Sequence, residues 1–342
     1  MSYGDLKPPG EGTWVEFADD RRKMLLYGGP VTDPLGALAG AGWESFELLS
    51  TPRALSEAAG LSEAAGRTHL VPPGGVPEAS GAIVDDVSGD RLVAFGGGRV
   101  IDSAKGIAAV LGGLVAAIPT TLSGAPMTAI HRLPDGRAAK AGVRPSLVIA
   151  YTDAMTSAPE EQLRATAINA LAHGAESLYT PLADETSREA ALRGAGMIAR
   201  SLDQAPVRRD RSALALGALL CAVAVDRAGI ALHHVLGQTT VRVLGTPHAE
   251  TYAALLPETM AAMRERAPER IEALASALGT EPAGLRDRIA DLAGHRRLGE
   301  LGADRDRLDE VLDVALARPE LSQMTPGEVG RADLAAILEA AW

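Results

Sequence analysis

The chain has 342 residues, 46% of them hydrophobic, which is enough for one large core or two ordinary domains. A net charge of −11 with only 3% aromatics argues against a nucleic-acid partner and against an anionic membrane surface. In chain order, Trp14–Phe17 reads as an antiparallel edge strand, and Met24–Tyr27 as a strand ending at Gly28-Gly29-Pro30. A helical stretch follows near Leu35–Gly40; Phe46–Leu49 is a strand ending at Ser50-Thr51-Pro52, and a helix starts at about Ala54. Leu92–Phe95 runs into Gly96-Gly97-Gly98 and a helix over Val100–Leu111. Leu114–Ile118 ends at Pro119-Thr120-Thr121, and Leu147–Ala150 is the last strand-like run. This alternation predicts a parallel sheet with helices on both faces.

Beyond Tyr151-Thr152-Asp153 the pattern changes to Ala/Leu-rich helical periodicity. Helices are predicted over Glu161–Leu178, Ser187–Leu202, Arg211–Ala228, Tyr252–Met263, Ile271–Leu278, Leu285–Leu292, Arg307–Ala317 and Ala332–Ala341. Ser157-Ala158-Pro159-Glu160 and Thr325-Pro326-Gly327-Glu328 read as helix starts. The expected organisation is therefore an α/β domain over residues 1–155 and an all-helical domain over 156–342. Residues 1–10 are expected to be disordered. The single cysteine, Cys221, lies in an Ala/Leu/Val run, so it forms no intramolecular disulfide and reads as a small buried hydrophobe. With no secretory apolar region at the start and no run of about 18 apolar residues, a soluble cytoplasmic protein is expected.

Two groups of residues carry chemistry. The first is Gly96-Gly97-Gly98, placed between a buried strand and a helix. Glycines there let backbone approach a phosphate, and a helix N-terminus supplies free N–H donors and positive dipole. The spacing is not G-x-G-x-x-G, so a plain tight turn is the competing reading. Thr120, Thr121 and Ser123 offer hydroxyls at the end of the next strand. The second group is Asn169, His173, His234 and His248. Asn169 and His173 are four apart and share a helix face; His234 and His248 fall on two consecutive helical segments. Singly, each histidine reads as a core or surface residue; together they can hold a divalent metal or polarise a carbonyl. His69, His131 and His295 lie outside this set and read as structural or surface residues.

In this order the segments resemble the iron-containing (group III) alcohol dehydrogenase family, and most closely its maleylacetate reductase branch. The resemblance rests on Gly96-Gly97-Gly98 with Asp102 and Lys105, Ile118-Pro119-Thr120-Thr121 with Ser123-Gly124, and Asn169 to Tyr179 with His173 and Glu176. Leu232-His233-His234, Pro247-His248-Ala249-Glu250-Thr251 and Leu49-Ser50-Thr51-Pro52 extend it. It implies a dehydroquinate synthase-like fold whose α/β domain binds NADH or NADPH through Gly96, Gly97, Gly98, Asp102, Thr120, Thr121, Ser123, Thr51 and Pro52. It also implies a helical domain carrying substrate and metal groups, and a homodimer. The family's Asp ligand is Asn169 here, a neutral and weaker donor beside His173, His234 and His248 for Fe or Zn. The branch with Asn there implies metal-free reduction, with the histidines polarising a carbonyl and supplying a proton.

Four departures from the family pattern stand out: Arg99 after the triple glycine, Ala125-Pro126 after Ser123-Gly124, Gln238 where a second histidine is usual, and Ser322-Gln323-Met324 near the C-terminus. Arg99, Lys140, Arg144 and Arg242 are candidate carboxylate or phosphate partners. Thr51-Pro52-Arg53 lacks the acidic residue that selects NAD, so cofactor choice rests on the resemblance, which favours NADH. The expected function is NAD(P)H-dependent reduction of a small carboxylate-bearing carbonyl compound. The alternatives are a metal-dependent alcohol dehydrogenase and a member of the fold repurposed for non-redox chemistry or ligand binding.

Overall fold

The computed structural model describes residues 3–139 and 142–342. The chain divides into one unit over Asp5–Ala158 and another over Pro159–Trp342, with residues 3–4 grouping with the second.

Among the described residues, the first unit is built on seven strands: β1 Trp14–Ala18, β2 Lys23–Tyr27, β3 Glu47–Ser50, β4 Arg67–Leu70, β5 Arg91–Gly96, β6 Leu114–Pro119 and β7 Leu147–Tyr151. Their order across the sheet is β1-β2-β7-β6-β5-β3-β4. β1 pairs antiparallel with β2, as expected for the edge at Trp14, and every other pairing is parallel. The helices that accompany them are α1 Pro34–Gly40, α2 Pro52–Leu55, α3 Ala59–Ala64, α4 Val76–Gly81, α5 Gly98–Leu111 and α6 Thr152–Met155. Successive side chains of a strand point to opposite faces, and both faces are apolar here. Leu92, Ala94, Val115 and Ala117 pack with Val100, Ile101 and Ile107 of α5. Val93, Phe95, Ala116 and Ile118 pack with Leu38 of α1, Ala54 of α2 and Leu61 of α3 on the other face. At about 1.5–3 kcal/mol per buried large apolar side chain, these two layers hold the sheet and fix its strand ends.

The second unit consists of α7 Glu160–Ser177, α8 Glu185–Leu202, α9 Arg211–Ala228, α10 Leu232–Leu244, α11 His248–Met263, α12 Pro268–Leu278, α13 Leu285–Ala293, α14 Leu308–Leu316, α15 Pro319–Met324 and α16 Arg331–Ala341. Small residues let α7, α8 and α9 close on one another. A Cβ on Gly174 or Gly194 would stand 2.8 or 2.7 Å from Sγ of Cys221, which is fully buried. Among the described residues no single helix is long and apolar enough to cross a membrane.

Two expectations are corrected, and one strand was not foreseen. Residues 3–10 are not disordered: Tyr3 and Leu6 are buried, and the Tyr3 carbonyl accepts from Nη1 of Arg193 at 2.9 Å. Thr325-Pro326-Gly327-Glu328 starts no helix; Thr325 caps the end of α15, and α16 begins at Arg331 after Gly330, whose N–H donates to Asp333 Oδ2 at 2.9 Å. Finally, β4 is a strand whose four residues carry no apolar run.

Candidate active site

In the first unit, the ends of β5 and β6 lie side by side, with Gly96 in register with Pro119. Gly96 has φ +158°, and a Cβ there would meet Cγ2 of Val100 at 2.8 Å. Gly97 is the N-cap of α5 and contributes no side-chain cap; the Val100 N–H turns back to the Gly97 carbonyl at 3.0 Å, which leaves the N–H groups of Gly98 and Arg99, at the start of a 14-residue helix, for a ligand. A Cβ on Gly97 would lie 3.2 Å from Cγ2 of Thr121, and one on Gly98 3.0 Å from Oγ of Ser123. The hydroxyl oxygens of Thr121 and Ser123 are buried and have no hydrogen-bond partner. Buried hydroxyls are ordinarily paired, so these two mark a place for a polar ligand against the glycine backbone. The residues present fit a dinucleotide's phosphates.

Other members of the predicted set have structural duties. Asp102 Oδ1 stands 2.7 Å from Nζ of Lys105, one turn along α5. Lys105, fully buried, also donates to the carbonyls of Ala125 at 3.0 Å and Ile130 at 2.7 Å, tying the loop after Ser123 to α5. Thr51 caps α2, accepting from the Ala54 N–H at 3.3 Å, with Pro52 in the first helical position. Thr120 donates its N–H to Gly96 at 3.0 Å, joining the two loops. Arg99 is turned to the Pro72 carbonyl. Arg242 is exposed in the last turn of α10, Arg144 is half-buried, and Lys140 lies outside the described residues.

In the second unit, α7 carries Asn169 and His173, α10 carries His233 and His234, and α11 begins at His248. The rings of His173 and His234 stack with centroids 4.7 Å apart and planes 17° apart. Tyr252, one turn into α11, lies 4.4 Å from the ring of His248 and 5.1 Å from that of His234, linking the two. Gly237 makes this possible: a Cβ there would stand 2.8 Å from Cζ of Tyr252. The three histidines and Asn169 are thus brought into one cluster. His233 joins it, with its ring 5.3 Å from His234 and its Nδ1 3.0 Å from Oγ1 of Thr259.

Four buried polar atoms of the cluster lack a hydrogen-bond partner: Oδ1 of Asn169, Nδ1 of His173, and Nε2 of His233 and His234. Burial first, then the neighbouring His234, His248 and His233, hold His173 well below the usual histidine range. Burial and the same neighbours do so for His233. His248 is an exposed residue at the start of α11 whose ring leans on Tyr252; desolvation, then His234, pushes it down to about 4. At neutral pH these three rings are uncharged and act as hydrogen-bonding groups.

Among the described residues, no group of three or more His, Cys, Asp or Glu side chains is disposed to hold a metal ion. With Asn169 supplying a neutral oxygen, the cluster does not fit the metal site implied for Asn169, His173, His234 and His248. At the departures, the Gln238 carbonyl oxygen accepts from both Nη atoms of Arg318 at 3.3 Å, and Ala125-Pro126 are buried in a single 3₁₀ turn. Ser322-Gln323-Met324 form the last turn of α15.

In the sequence reading Glu176 enters only as part of a family motif, with no role given to it, and Tyr252 is passed over. Glu176 falls three residues after His173 on the same helix face, which was the available signal. It is fully buried, and its Oε2 stands 2.6 Å from Nδ1 of His234.

The family model described as Fe-containing alcohol dehydrogenase family, C-terminal, matches residues 164–342. Maleylacetate reductase 1 of Rhodococcus opacus is 33% identical over 263 residues, covering 74% of this chain and 73% of that protein. The maleylacetate reductase of Pseudomonas aeruginosa is 32% identical over 282 residues, 79% of each chain. The crystal structure of maleylacetate reductase from Agrobacterium tumefaciens superposes with a TM-score of 0.82 at 28% identity, covering 96% of this chain and 98% of that one. The chain belongs to the iron-containing alcohol dehydrogenase family of NAD(P)H-linked oxidoreductases, in the branch that holds the maleylacetate reductases.

Proposed function

We propose that this chain reduces a small carboxylate-bearing carbonyl compound, with maleylacetate the first candidate, using NADH or NADPH. The observation that carries the reading is the set of buried, unpartnered atoms in the second unit: Asn169 Oδ1, His173 Nδ1 and His234 Nε2. Such atoms are costly unless a polar ligand completes them. In this reading the region over residues 1–155 holds the dinucleotide through Gly97, Gly98, Thr121 and Ser123, and residues 156–342 hold the substrate.

Bound NAD(P)H supplies the hydride. His234 is the group this chain offers for the proton. Its Nδ1–H donates to the Glu176 carboxylate, which can only accept, so Nε2 is the nitrogen that takes up a proton from solvent and, in the doubly protonated ring that the carboxylate stabilises, delivers it to the substrate oxygen. His173, neutral and stacked on His234, contributes hydrogen bonding at Nδ1, and Asn169 orients a polar substrate atom through its amide. No step is routed through a metal.

The composition supports a cytoplasmic protein, and the family resemblance supports a homodimer; light scattering after gel filtration tests the second. The deciding experiment titrates NADH and NADPH against the intrinsic fluorescence of Trp14 and Trp43, then follows loss of absorbance at 340 nm with maleylacetate. Micromolar cofactor binding and turnover are expected. Absence of binding up to millimolar NADH and NADPH refutes the reading.

A further inference from the structure

We propose that Glu176 is a positioning residue: its carboxylate fixes His234 with a proton on Nδ1 and anchors the start of α10, so that Nε2 is the ring's working nitrogen. This deepens the reductase reading and rests on it.

Glu176 has no exposed surface, and four donors converge on it. Nδ1 of His234 is 2.6 Å from Oε2. The backbone N–H groups of His233 and His234 reach Oε1 at 2.7 and 3.3 Å, and the Tyr179 hydroxyl reaches it at 3.4 Å. Ala231, the N-cap of α10, provides no side-chain cap, so Glu176 takes that part from a different helix. A carboxylate at a helix N-terminus satisfies orphan N–H groups and matches the helix dipole. Capping alone would use only Oε1. The shortest contact is instead made by Oε2 to the ring, and it removes one of the two ways His234 could carry its proton. The far nitrogen, Nε2, is buried and unpartnered. A carboxylate behind one ring nitrogen and an open position at the other is the arrangement that orients an imidazole for proton transfer.

Glu176→Gln separates the two duties. The Gln oxygen can still accept from the two backbone N–H groups. Its amide nitrogen donates toward Nδ1 and drives the ring to the Nε2–H form. Protein labelled with ¹⁵N-histidine reads the tautomer directly, with His234→Gln identifying the resonances. Wild type is expected to carry the proton on Nδ1 and Glu176→Gln on Nε2. In the 340 nm assay with maleylacetate, kcat should fall about 100-fold, the low end for a lost general acid, because a neutral amide no longer stabilises the doubly protonated ring that delivers its Nε2 proton. KM and NADH affinity should stay within about threefold, since binding groups are untouched. A wild-type His234 protonated only on Nε2 overturns the proposal without any variant. So does a Glu176→Gln protein whose kcat is within about threefold of wild type. Should wild type fail to reduce maleylacetate, the substrate reading falls, and the tautomer still decides the role of Glu176.

Discussion

The phosphate cradle makes a prediction in which stability and binding part company. In Gly98→Ala the new methyl would stand 3.0 Å from Oγ and 3.1 Å from Cβ of Ser123. Both neighbours belong to one small side chain, so a shift of a few tenths of an ångström relieves the contact. Ala at a helix start also regains about 0.4–1 kcal/mol through a less disordered unfolded chain. The net change in stability should stay within about 1 kcal/mol, or roughly 2–4 °C in Tm for a unit of this size. Binding should suffer far more, because the methyl occupies the gap through which an anion reaches the first N–H groups of α5. Losing one charge-assisted hydrogen bond costs about 1.5–3 kcal/mol, which is about a 10- to 150-fold rise in Kd. Gly96→Ala should behave in the opposite way. It meets Cγ2 of Val100 at 2.8 Å with φ +158°, so it should cost about 1–3 kcal/mol of stability. Thermal unfolding and NADH fluorescence titration on both variants measure the two effects. A Gly98→Ala protein that binds NADH as wild type does, at unchanged Tm, refutes the placement of the phosphates at α5.

Gly237→Ala should lower kcat more than its stability cost of about 1–3 kcal/mol explains, because a Cβ 2.8 Å from Cζ must displace Tyr252 from between His234 and His248; Tm and kcat measured together check this. Burial pushes the Cys221 thiol up to about 12, so native protein at pH 8 should leave a disulfide exchange reagent untouched and react with one equivalent only after denaturation. Arg227 leads the groups that hold Asp184 at about 2, below its ordinary 3.8. That pair, half-exposed, should contribute about 1 kcal/mol above pH 4 and lose it as the pH falls toward 2. Asp184→Asn should therefore lower Tm at pH 7 and converge with wild type near pH 2. Dialysis against EDTA should leave the turnover rate unchanged, and a loss restored by Fe or Zn would reinstate the metal reading.

The sheet was legible where strands are buried on both faces. Leu92–Phe95 and Leu114–Ile118 are continuous apolar runs because α1, α2 and α3 cover one side and α4 and α5 the other. β4 has no such pattern. Arg67 and Leu70 are exposed at the sheet edge, and the strand is secured by a pair no local window shows: Nε2 of His69 lies 2.7 Å from Oε2 of the buried Glu47. That Glu also accepts from the N–H groups of Ser88 and Gly89, so one carboxylate ties three segments together. The helices were legible in existence rather than in their ends. Thr325-Pro326 has the residue types of a helix start, but Thr325 is a buried closing residue of α15.

The histidine cluster shows the same division between spacing and contact. Asn169 and His173 could be paired from their spacing alone, and the glycines before His248 announced a turn between two helices. From the sequence His234 is taken rather than the adjacent His233, and the fold gives the physical difference between them. His233 is held through Thr259, whereas Nδ1 of His234 is held by Glu176. That difference bears on Gln238, one turn after His234 on α10. Its amide oxygen is taken by Arg318, itself paired with Glu320 at 2.9 Å, and an amide cannot pass a proton at neutral pH. A relay through position 238 is closed in this chain. In the proposed reading the proton reaches the substrate through a ring that is both oriented and open, and in this cluster His234 alone has a carboxylate behind one nitrogen and a buried, unpartnered nitrogen in front. On that reading Gln238, where the resembled family usually carries a histidine, leaves proton transfer to the Glu176–His234 pair, where the tautomer measurement tests it.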